Sequence, residues 1–279
     1  MTAETVPAFS VLLPVYSGDR PEFLRRAYDS VTVEQTLPPT EVVIVRDGPV
    51  GERISRELAA IVGPSSVVPT RVVELTENVG LARALEAGLA ECRYEIVARM
   101  DADDISRPGR FAAQVPLVAG GLDIVGSAVQ EFMDEREPGL VRLPPVGADQ
   151  IQHRARFVSP FNHPTVVYRR GAVRDAGGYQ DLPLMEDYWL FARMLLAGAR
   201  PENLAEPLVL YRIGAGAYAR RGGRGILRSE LGLQRRLLSV GFLTRPQYLR
   251  NCVVRGIYRL VPESVRKTGY RAFVRRGPG

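Results

Sequence analysis

Cysteine is nearly absent from this chain, and the sequence features of secretion and membrane insertion are missing. Cys92 and Cys252 are the two cysteines among 279 residues, and their separation matches no metal-ligand spacing. We expect them to be reduced thiols of a cytoplasmic protein. No apolar run is long enough to cross a bilayer, and residues 1–8 lack a basic region followed by an apolar core. We therefore expect neither a disulfide framework nor a signal peptide.

A dinucleotide-binding fingerprint is also missing, because no Gly-x-Gly-x-x-Gly follows the first predicted strand. The chain has no internal repeat and no low-complexity linker that would separate independent domains. Its hydrophobic content of 46% is sufficient for a substantial core. The length permits one large domain or two small ones.

The positive charge is concentrated in the last part of the chain. Eight arginines and one lysine against one glutamate give residues 245–279 a net charge of +8, so the other 244 residues carry −2 of the total of +6. A nucleic-acid enzyme would more often carry its positive charge around the site, so we expect no nucleic-acid partner. In the tail, arginines alternate with apolar residues at helical spacing: Leu249, Val253, Ile257 and Leu260 with Arg250, Arg255 and Arg259.

That tail pattern has two interpretations. A basic amphipathic helix favours an anionic membrane surface, which would place the protein peripherally at the inner face of the cell membrane. Alternatively, the helix packs on the rest of the protein with its arginines in water.

The first hundred residues alternate between apolar runs and segments with helical spacing. Four such strand–helix units predict a parallel sheet covered on both faces, with ligands outside the carboxyl ends of the strands. The predicted strands are 9–16, 41–46, 71–75 and 94–98, and the helices are 21–35, one ending near 62, and 81–92. The polar residues at the strand ends are Tyr16, Asp47, Asn78, Asp101 and Asp103.

The following residues mix further strands with helices. A predicted strand at 122–132 could pair with residues 139–143, and 163–169 shows strand alternation. A short strand is predicted at 207–211, followed by a Gly- and Arg-rich stretch and two or three terminal helices. The remaining predicted helices are 108–119, 149–157 and 186–197.

Three carboxylates follow the fourth predicted strand within four residues: Asp101, Asp103 and Asp104. Like charges at this spacing repel one another unless a cation is shared between them. Such oxygen-rich clusters suit Mg²⁺ or Mn²⁺. The alternative is a solvated turn in which Asp104 caps the next helix.

Several other polar residues have both a functional and a structural interpretation. Asp187 could be a catalytic base or a favourable first-turn acid of a helix, with Glu186 raising its pKa and the helix dipole lowering it. Asp47 could bind a nucleobase or begin a turn with Gly48. Asn78 and Gly80 could admit a nucleotide or only start a helix.

His163 could contact a metal or phosphate, or be a core histidine. Arg83, Arg107 and Arg110 could neutralise a leaving group without metal, or belong to a solvated helix face.

Five stretches occur in an order that resembles the family-2 glycosyltransferases of the GT-A fold, particularly bacterial enzymes of capsular and exopolysaccharide assembly. The resemblance extends over about residues 9–212. Its stretches are Val11-Leu12-Leu13-Pro14-Val15-Tyr16, Val43-Ile44-Val45-Arg46-Asp47-Gly48, Asn78-Val79-Gly80-Leu81-Ala82, Asp101-Ala102-Asp103-Asp104-Ile105 and Glu186-Asp187-Tyr188-Trp189.

The resemblance implies an inverting transferase that uses a nucleotide-diphosphate sugar, expected to be a UDP-sugar, and Mn²⁺ or Mg²⁺. It assigns the metal to Asp103 with Asp101, and catalysis to Asp187 with the adjacent Glu186. Arg46 departs from the family pattern, which often has an acidic residue there. The implied substrate-binding residues are Pro14, Val15 and Tyr16 around the base, Asp47 on the base, Asp101 and Ala102 at the ribose or sugar, and Asn78, Gly80, Arg83, His163 and Trp189.

The resemblance also implies a doubly wound, mixed α/β sheet of GT-A type with a C-terminal helical extension. We expect a catalytic domain over 1–215, whose nucleotide-sugar half is about 1–105 and acceptor half about 106–215, and a basic helical extension over 216–279. The expected acceptor is a hydroxyl of a glycan or lipid-linked glycan in cell-surface polysaccharide synthesis. Two alternatives are a non-catalytic nucleotide-sugar-binding protein and a sugar-nucleotide nucleotidyltransferase. The second alternative usually has a basic, Gly-rich loop after the first strand, where this chain has Ser17-Gly18-Asp19-Arg20.

Overall fold

A mixed β-sheet with helices on both faces forms the centre of the computed structural model, which describes residues 7–64, 66–214 and 224–260. Within those residues the sheet contains nine strands. The strands are β1 (Phe9–Tyr16), β2 (Glu41–Asp47), β3 (Thr70–Glu74), β4 (Ile96–Arg99), β5 (Ile105–Ser106), β6 (Ile124–Phe132), β7 (Pro138–Arg142), β8 (Val167–Arg169) and β9 (Pro201–Arg212). The helices are α1 (Pro21–Val31), α2 (Glu52–Ile61), α3 (Leu81–Glu91), α4 (Arg110–Ala119), α5 (Ala148–Arg154), α6 (Arg170–Asp175), α7 (Glu186–Leu196), α8 (Arg224–Ser239) and α9 (Arg245–Leu260), and a 3-10 helix covers His163–Thr165.

The first four strands confirm the predicted alternation. Strand β1 pairs in parallel with β2 and β4, and β2 pairs in parallel with β3. Successive side chains of a strand point to opposite faces, so β1 contributes to two cores. Leu12 packs in one buried cluster with residues of α3, and Val11 and Leu13 pack in another with residues of α1, α2 and α4. The carboxyl ends of β1, β2 and β4 consequently meet at one edge.

The second half of the chain adds antiparallel strands, as expected for a doubly wound mixed sheet. Strand β8 is antiparallel to both β4 and β6, while β9 is parallel to β6 and antiparallel to β5. The sheet order is β3-β2-β1-β4-β8-β6-β9-β5, and β7 pairs with β6, as predicted for residues 139–143.

Two predicted strands differ from the structure. The segment 163–169 begins as a 3-10 helix, in which Pro164 occupies a first-turn position that suits its fixed φ. The predicted strand 207–211 is part of the longer Pro201–Arg212. Register shifts beside Ala128, which pairs with Pro207, accommodate a proline that cannot donate to the ladder.

The C-terminal helices pack on the sheet domain. Leu233 and Leu237 of α8 share a buried cluster with Leu190 and Phe191 of α7. The predicted boundary between residues 215 and 216 lies outside the described residues, as does the tail after 260. In the part of the chain that the structure describes, no helix is long and apolar enough to cross a membrane.

Candidate active site

A cavity of about 890 Å³ lies at the edge where β1, β2 and β4 end. This is the place that the alternating topology predicts for a ligand. Strands β7 and β9 and helix α8 form its other side. The structure brings together in its wall these residues predicted from the sequence: Pro14, Val15, Tyr16, Asp47, Asn78, Gly80, Asp101, Ala102, Asp103 and Asp187.

Asp47 organises the end of the cavity next to β2. Its Oδ1 accepts the N–H of Val79 at 2.7 Å and its Oδ2 accepts the N–H of Gly80 at 3.1 Å. The carboxylate thereby satisfies the two backbone donors that directly precede α3, whose N-cap residue makes no side-chain hydrogen bond. Asn78 is not the N-cap; its amide donates to the Asp47 carbonyl at 3.3 Å, and Gly80 is the N-cap. Because each carboxylate oxygen has two lone pairs, Asp47 can still accept a further hydrogen bond from a ligand.

Two glycines shape this end. Gly48 has φ +81°, and a Cβ there would lie 2.4 Å from the backbone nitrogen of Asn78. Gly80 has φ +87°, and a Cβ there would meet nothing within 4 Å. The first glycine permits close contact between two loops, and the second leaves open space in the cavity wall.

The acidic cluster predicted after β4 is present in the structure. One ligand atom from each of Asp101, Asp103 and Asp104 lies within 4.8 Å of the others. Burial, followed by the charge of Asp101, raises the pKa of Asp103 to about 6, and it raises the pKa of buried Asp104 well above its usual value. The Oδ2 of Asp104 is buried without a hydrogen-bond partner among the described residues. A cluster of three carboxylates with one unpartnered oxygen fits a divalent cation, whose charge would remove the repulsion.

Asp104 does not cap a helix, since α4 begins at Arg110. Its Oδ1 instead accepts the backbone N–H of Arg212 at 2.8 Å, and the Arg212 side chain donates to the Asp103 carbonyl at 2.7 Å. The last residue of β9 therefore fixes the acidic loop.

Asp187 and Glu186 begin helix α7 beside the cavity. Burial raises the pKa of Asp187, although the N–H of Tyr188, which donates to its Oδ1 at 2.7 Å, and the charge of Arg99 act in the opposite direction. Burial and the neighbouring Asp187 raise the pKa of Glu186 to about 7. Desolvation therefore outweighs the effects that would lower these pKa values. Asp187 lines the cavity, and Glu186 is not among its lining residues.

Several predicted residues lie outside the cavity wall. Arg83 is exposed and pairs with Asp181, with Nε 2.7 Å from Oδ2. The His163 Nε2 lies 2.8 Å from the Tyr179 hydroxyl, and burial lowers the pKa of His163 well below its usual value, so the imidazole is neutral. Trp189 is buried in the core because it lies two positions, about 200° of helical rotation, beyond Asp187.

The two other candidate arginines also point elsewhere. Arg107 donates to Gln130 at 2.6 Å, and fully buried Arg110 donates to the Arg99 carbonyl at 2.7 Å. The structure therefore assigns neither of them to a leaving group in this cavity.

The sequence prediction missed several residues of the wall. Asp19 belongs to the loop after β1; its Oδ2 accepts the N–H of Tyr16 at 2.9 Å, and burial raises its pKa to about 7. The acidic residue in a loop directly after the first strand was the available signal. Leu81 and Ala84 of α3 were also missed, and the other missed residues lie in the second half of the chain: Arg142, Leu184, Met185, Tyr211, Arg212 and Ile226.

The fold and this cavity define the GT-A class of nucleotide-sugar enzymes, and comparison with known proteins supplies the family. Residues 10–177 match the family model "Glycosyl transferase family 2". The chain belongs to this family. It is 37% identical over 262 residues to the amylovoran biosynthesis glycosyltransferase AmsE of Erwinia amylovora, covering 92% of this chain and 96% of that protein.

A second relative is similar over nearly the whole length of both proteins. It is the UDP-Gal:alpha-D-GlcNAc-diphosphoundecaprenol beta-1,3-galactosyltransferase of Escherichia coli, at 31% identity and with coverage of 98% of this chain and 99% of that protein.

Two solved structures share the fold at 16% sequence identity. S. aureus TarS in complex with UDP-GlcNAc superposes with a TM-score of 0.63, covering 83% of this chain and 66% of that one. The Pyrobaculum calidifontis mannosyltransferase PcManGT, in complex with GDP-Man and Mn²⁺, superposes with a TM-score of 0.65, covering 97% of this chain and 81% of that one. These similarities confirm the predicted GT-A fold.

Proposed function

We propose that the protein is a metal-dependent, inverting glycosyltransferase that moves a sugar from a UDP-sugar to a hydroxyl of a lipid-linked glycan. The family match, the amylovoran biosynthesis relative and the relative named for UDP-Gal support a nucleotide-sugar glycosyltransferase of polysaccharide synthesis. The observation that carries the finer proposal is the presence of Asp47, Asp103 and Asp187 in one cavity.

The nucleotide half of the cavity would hold the donor. Pro14, Val15 and Tyr16 line the cavity beside Asp47, and Tyr16 has 49% of its surface exposed. A base stacked against this wall would place a ring N–H near Asp47, whose carboxylate is fixed by two backbone donors. The space above Gly80 would admit the rest of the nucleoside.

The acidic loop would hold the diphosphate end of the donor. Asp103 lines the cavity and offers oxygen ligands, with the unpartnered Oδ2 of buried Asp104 close to it, while Asp101 is already paired with Arg99. A divalent cation bound there would neutralise the charge that grows on the departing diphosphate. Asp101 and Ala102 would then face the ribose or the transferred sugar.

Asp187 would remove the proton from the acceptor. As the acceptor oxygen bonds to the anomeric carbon, the bond from that carbon to the diphosphate breaks, and the proton passes to the Asp187 carboxylate. This single displacement inverts the configuration. The raised pKa of Asp187 suits a general base, because proton transfer is most effective when the pKa approaches the working pH.

Calorimetry and product analysis would test the donor assignment. We expect UDP to bind more tightly with Mn²⁺ than with EDTA, and Asp103→Asn to lose that difference. Asp29→Asn, which changes an aspartate on α1 outside the cavity wall, is the matched control. Binding that is indifferent to Mn²⁺ in the wild-type protein would contradict the metal assignment.

The same assay separates the alternatives. A transferase releases UDP from a UDP-sugar, whereas a nucleotidyltransferase releases pyrophosphate from a nucleoside triphosphate and a sugar phosphate. A binding protein releases neither product. Release of UDP that depends on an added glycan acceptor would support the transferase.

Helix α9 would attach the enzyme to the surface of an anionic bilayer. Leu249, Val253 and Ile257 are each about 60% exposed and lie on one face of the helix, with Val254 beside them. Arg250 is exposed at the same helix, and the segment from 245 onward carries net +8. Arg255 does not contribute, because it turns inward to Glu230 and the Phe157 carbonyl. Apolar side chains flanked by cations suit the interface of an anionic membrane.

Vesicle sedimentation would test this attachment. We expect the protein to bind vesicles that contain phosphatidylglycerol more than phosphatidylcholine vesicles, and binding to weaken with salt. Leu249→Ser combined with Val253→Ser should release the protein, whereas Val33→Ser, at another exposed valine, should not. Equal binding of the double variant and the wild type would exclude this helix as the contact.

A further inference from the structure

The cavity has a second end with a different chemistry from the nucleotide end. Four parts of the chain form that end: strands β7 and β9, helix α8, and the segment that precedes helix α7. Its wall combines two cations, one aromatic ring and three aliphatic side chains. These residues are Arg142, Tyr211 and Arg212 with Leu184, Met185 and Ile226.

Arg142 is the cation at this end that is least committed to the protein. It is the last residue of β7, and its guanidinium lies over the Tyr211 ring, 4.6 Å from the centroid. Its Nε forms an ion pair with buried Glu131, 3.8 Å from Oε1, but this distance is too long for a hydrogen bond, and the Nε has no hydrogen-bond partner among the described residues. The Tyr211 ring and Glu131 hold the guanidinium in place, and the Arg142 side chain is still 22% exposed for contact with a ligand.

Arg212 has a structural task by contrast. It donates to the Asp103 carbonyl, and its guanidinium lies 3.8 Å from the Phe23 centroid and 4.4 Å from the Phe132 centroid. It contributes positive charge to the cavity, but its position is set by the acidic loop. Arg142 is therefore the residue to test.

One aliphatic side chain of this end, Leu184, is exposed, whereas Ile226 is buried. Leu184 has φ +66°, a left-handed conformation that costs about 1–2 kcal/mol in a residue with a Cβ, and 64% of its surface is exposed. Its neighbour Met185 precedes α7, so this apolar surface lies close in sequence to Asp187. Leu184 therefore offers an exposed apolar surface to a ligand in the cavity.

We propose that this end binds the diphosphate and the first part of the aliphatic chain of a lipid-linked acceptor, with Arg142 on the phosphates and Leu184 on the chain. The proposal rests on the proposed transferase function and adds the recognition of the acceptor to it. A guanidinium suits phosphate oxygens because it donates hydrogen bonds in a fixed planar arrangement. The donor diphosphate would be held through a cation at Asp103, so the Arg142 guanidinium in the same cavity is available to a second anion.

Calorimetry with farnesyl diphosphate as the probe tests this assignment without requiring turnover. We expect the wild-type protein to bind the probe while UDP and Mn²⁺ are bound. Arg142→Gln should lower the affinity for the probe about 10- to 100-fold, as expected for loss of a charged hydrogen bond, and leave the affinity for UDP unchanged. Arg136→Gln, at an exposed arginine of the same hairpin, should change neither affinity.

A second variant separates the apolar contact from the ionic one and protects against misfolding of the first. Leu184→Ser should lower the affinity for farnesyl diphosphate but not the affinity for inorganic pyrophosphate. The proposal is overturned if UDP displaces the probe competitively, if Arg142→Gln weakens UDP and the probe equally, or if the wild-type protein does not bind the probe. The transferase function is judged separately by release of UDP from a UDP-sugar.

Discussion

Arg99 holds both carboxylate oxygens of Asp101. Its Nη1 donates to Oδ2 at 2.6 Å and its Nη2 pairs with Oδ1. Arg99 has 1% of its surface exposed, whereas the Asp101 side chain is 28% exposed at the cavity. The ion pair fixes one carboxylate of the cluster and leaves the others for a cation. The charge of Arg99 also lowers the pKa of both Asp187 and Glu186, so one buried cation influences both halves of the site.

Substitution of Arg99 should therefore change the pH dependence of catalysis. In Arg99→Met, we expect the acidic limb of kcat/KM to move to higher pH, because Asp187 loses a nearby positive charge. Arg99→Lys keeps the charge and should move the limb less, although it loses the two-point contact with Asp101. The measurement is kcat/KM against pH, with thermal unfolding to establish that each variant is folded. A folded Arg99→Met enzyme with the wild-type profile would show that this charge is irrelevant to the base.

Glu186 should make the stability of the protein depend on pH. Its pKa is about 7 in the folded state against an ordinary value of 4.5, so between these pH values the folded protein retains a proton that the unfolded chain has lost. The stability of the wild type should therefore fall as the pH rises from about 4.5 to about 7. Glu186→Gln does not titrate, so it does not lose this stability. Its free energy of unfolding should therefore rise relative to the wild type over that interval and stay higher above it. Urea unfolding of both proteins at several pH values measures the difference, and a constant difference would refute the assignment.

The sequence predicted the nucleotide end of the site much better than the other end. Asp47 and Asp101 follow strands of a regular strand–helix alternation, and parallel strands bring their carboxyl ends to one edge. Arg142 and Tyr211 come from strands that join the sheet with bulges and mixed direction, so no period in the sequence relates them to Asp187.

Helical rotation explains one of the misplaced residues. Trp189 belongs to the same sequence motif as Asp187, but the helix turns it into the core. His163 was open to two interpretations, and its Tyr179 partner lies 16 residues away in the chain. Partners that depend on tertiary packing leave no local signal in the chain.

Gly48 should be required for both stability and nucleotide binding. Alanine there would combine a positive φ with a Cβ 2.4 Å from the Asn78 nitrogen, which would displace the loop that contacts Asp47. We expect Gly48→Ala to lower the free energy of unfolding by about 1–3 kcal/mol and to lower the affinity for UDP. Gly256→Ala is the matched control, since Gly256 lies inside helix α9 with open space at the Cβ position, and alanine, the better helix former, should not lower the free energy of unfolding there. Equal losses in the two variants would contradict this explanation of the loop.

Asp187→Asn tests the central claim most directly, because it removes the base and leaves the donor site intact. UDP release from a UDP-sugar with Mn²⁺ and an acceptor, measured beside UDP binding, gives both quantities. We expect turnover to fall about 10²- to 10⁴-fold while UDP affinity is unchanged. Asp181→Asn, at the exposed partner of Arg83 before the same helix, should retain activity. Turnover by Asp187→Asn at the wild-type rate would contradict the account.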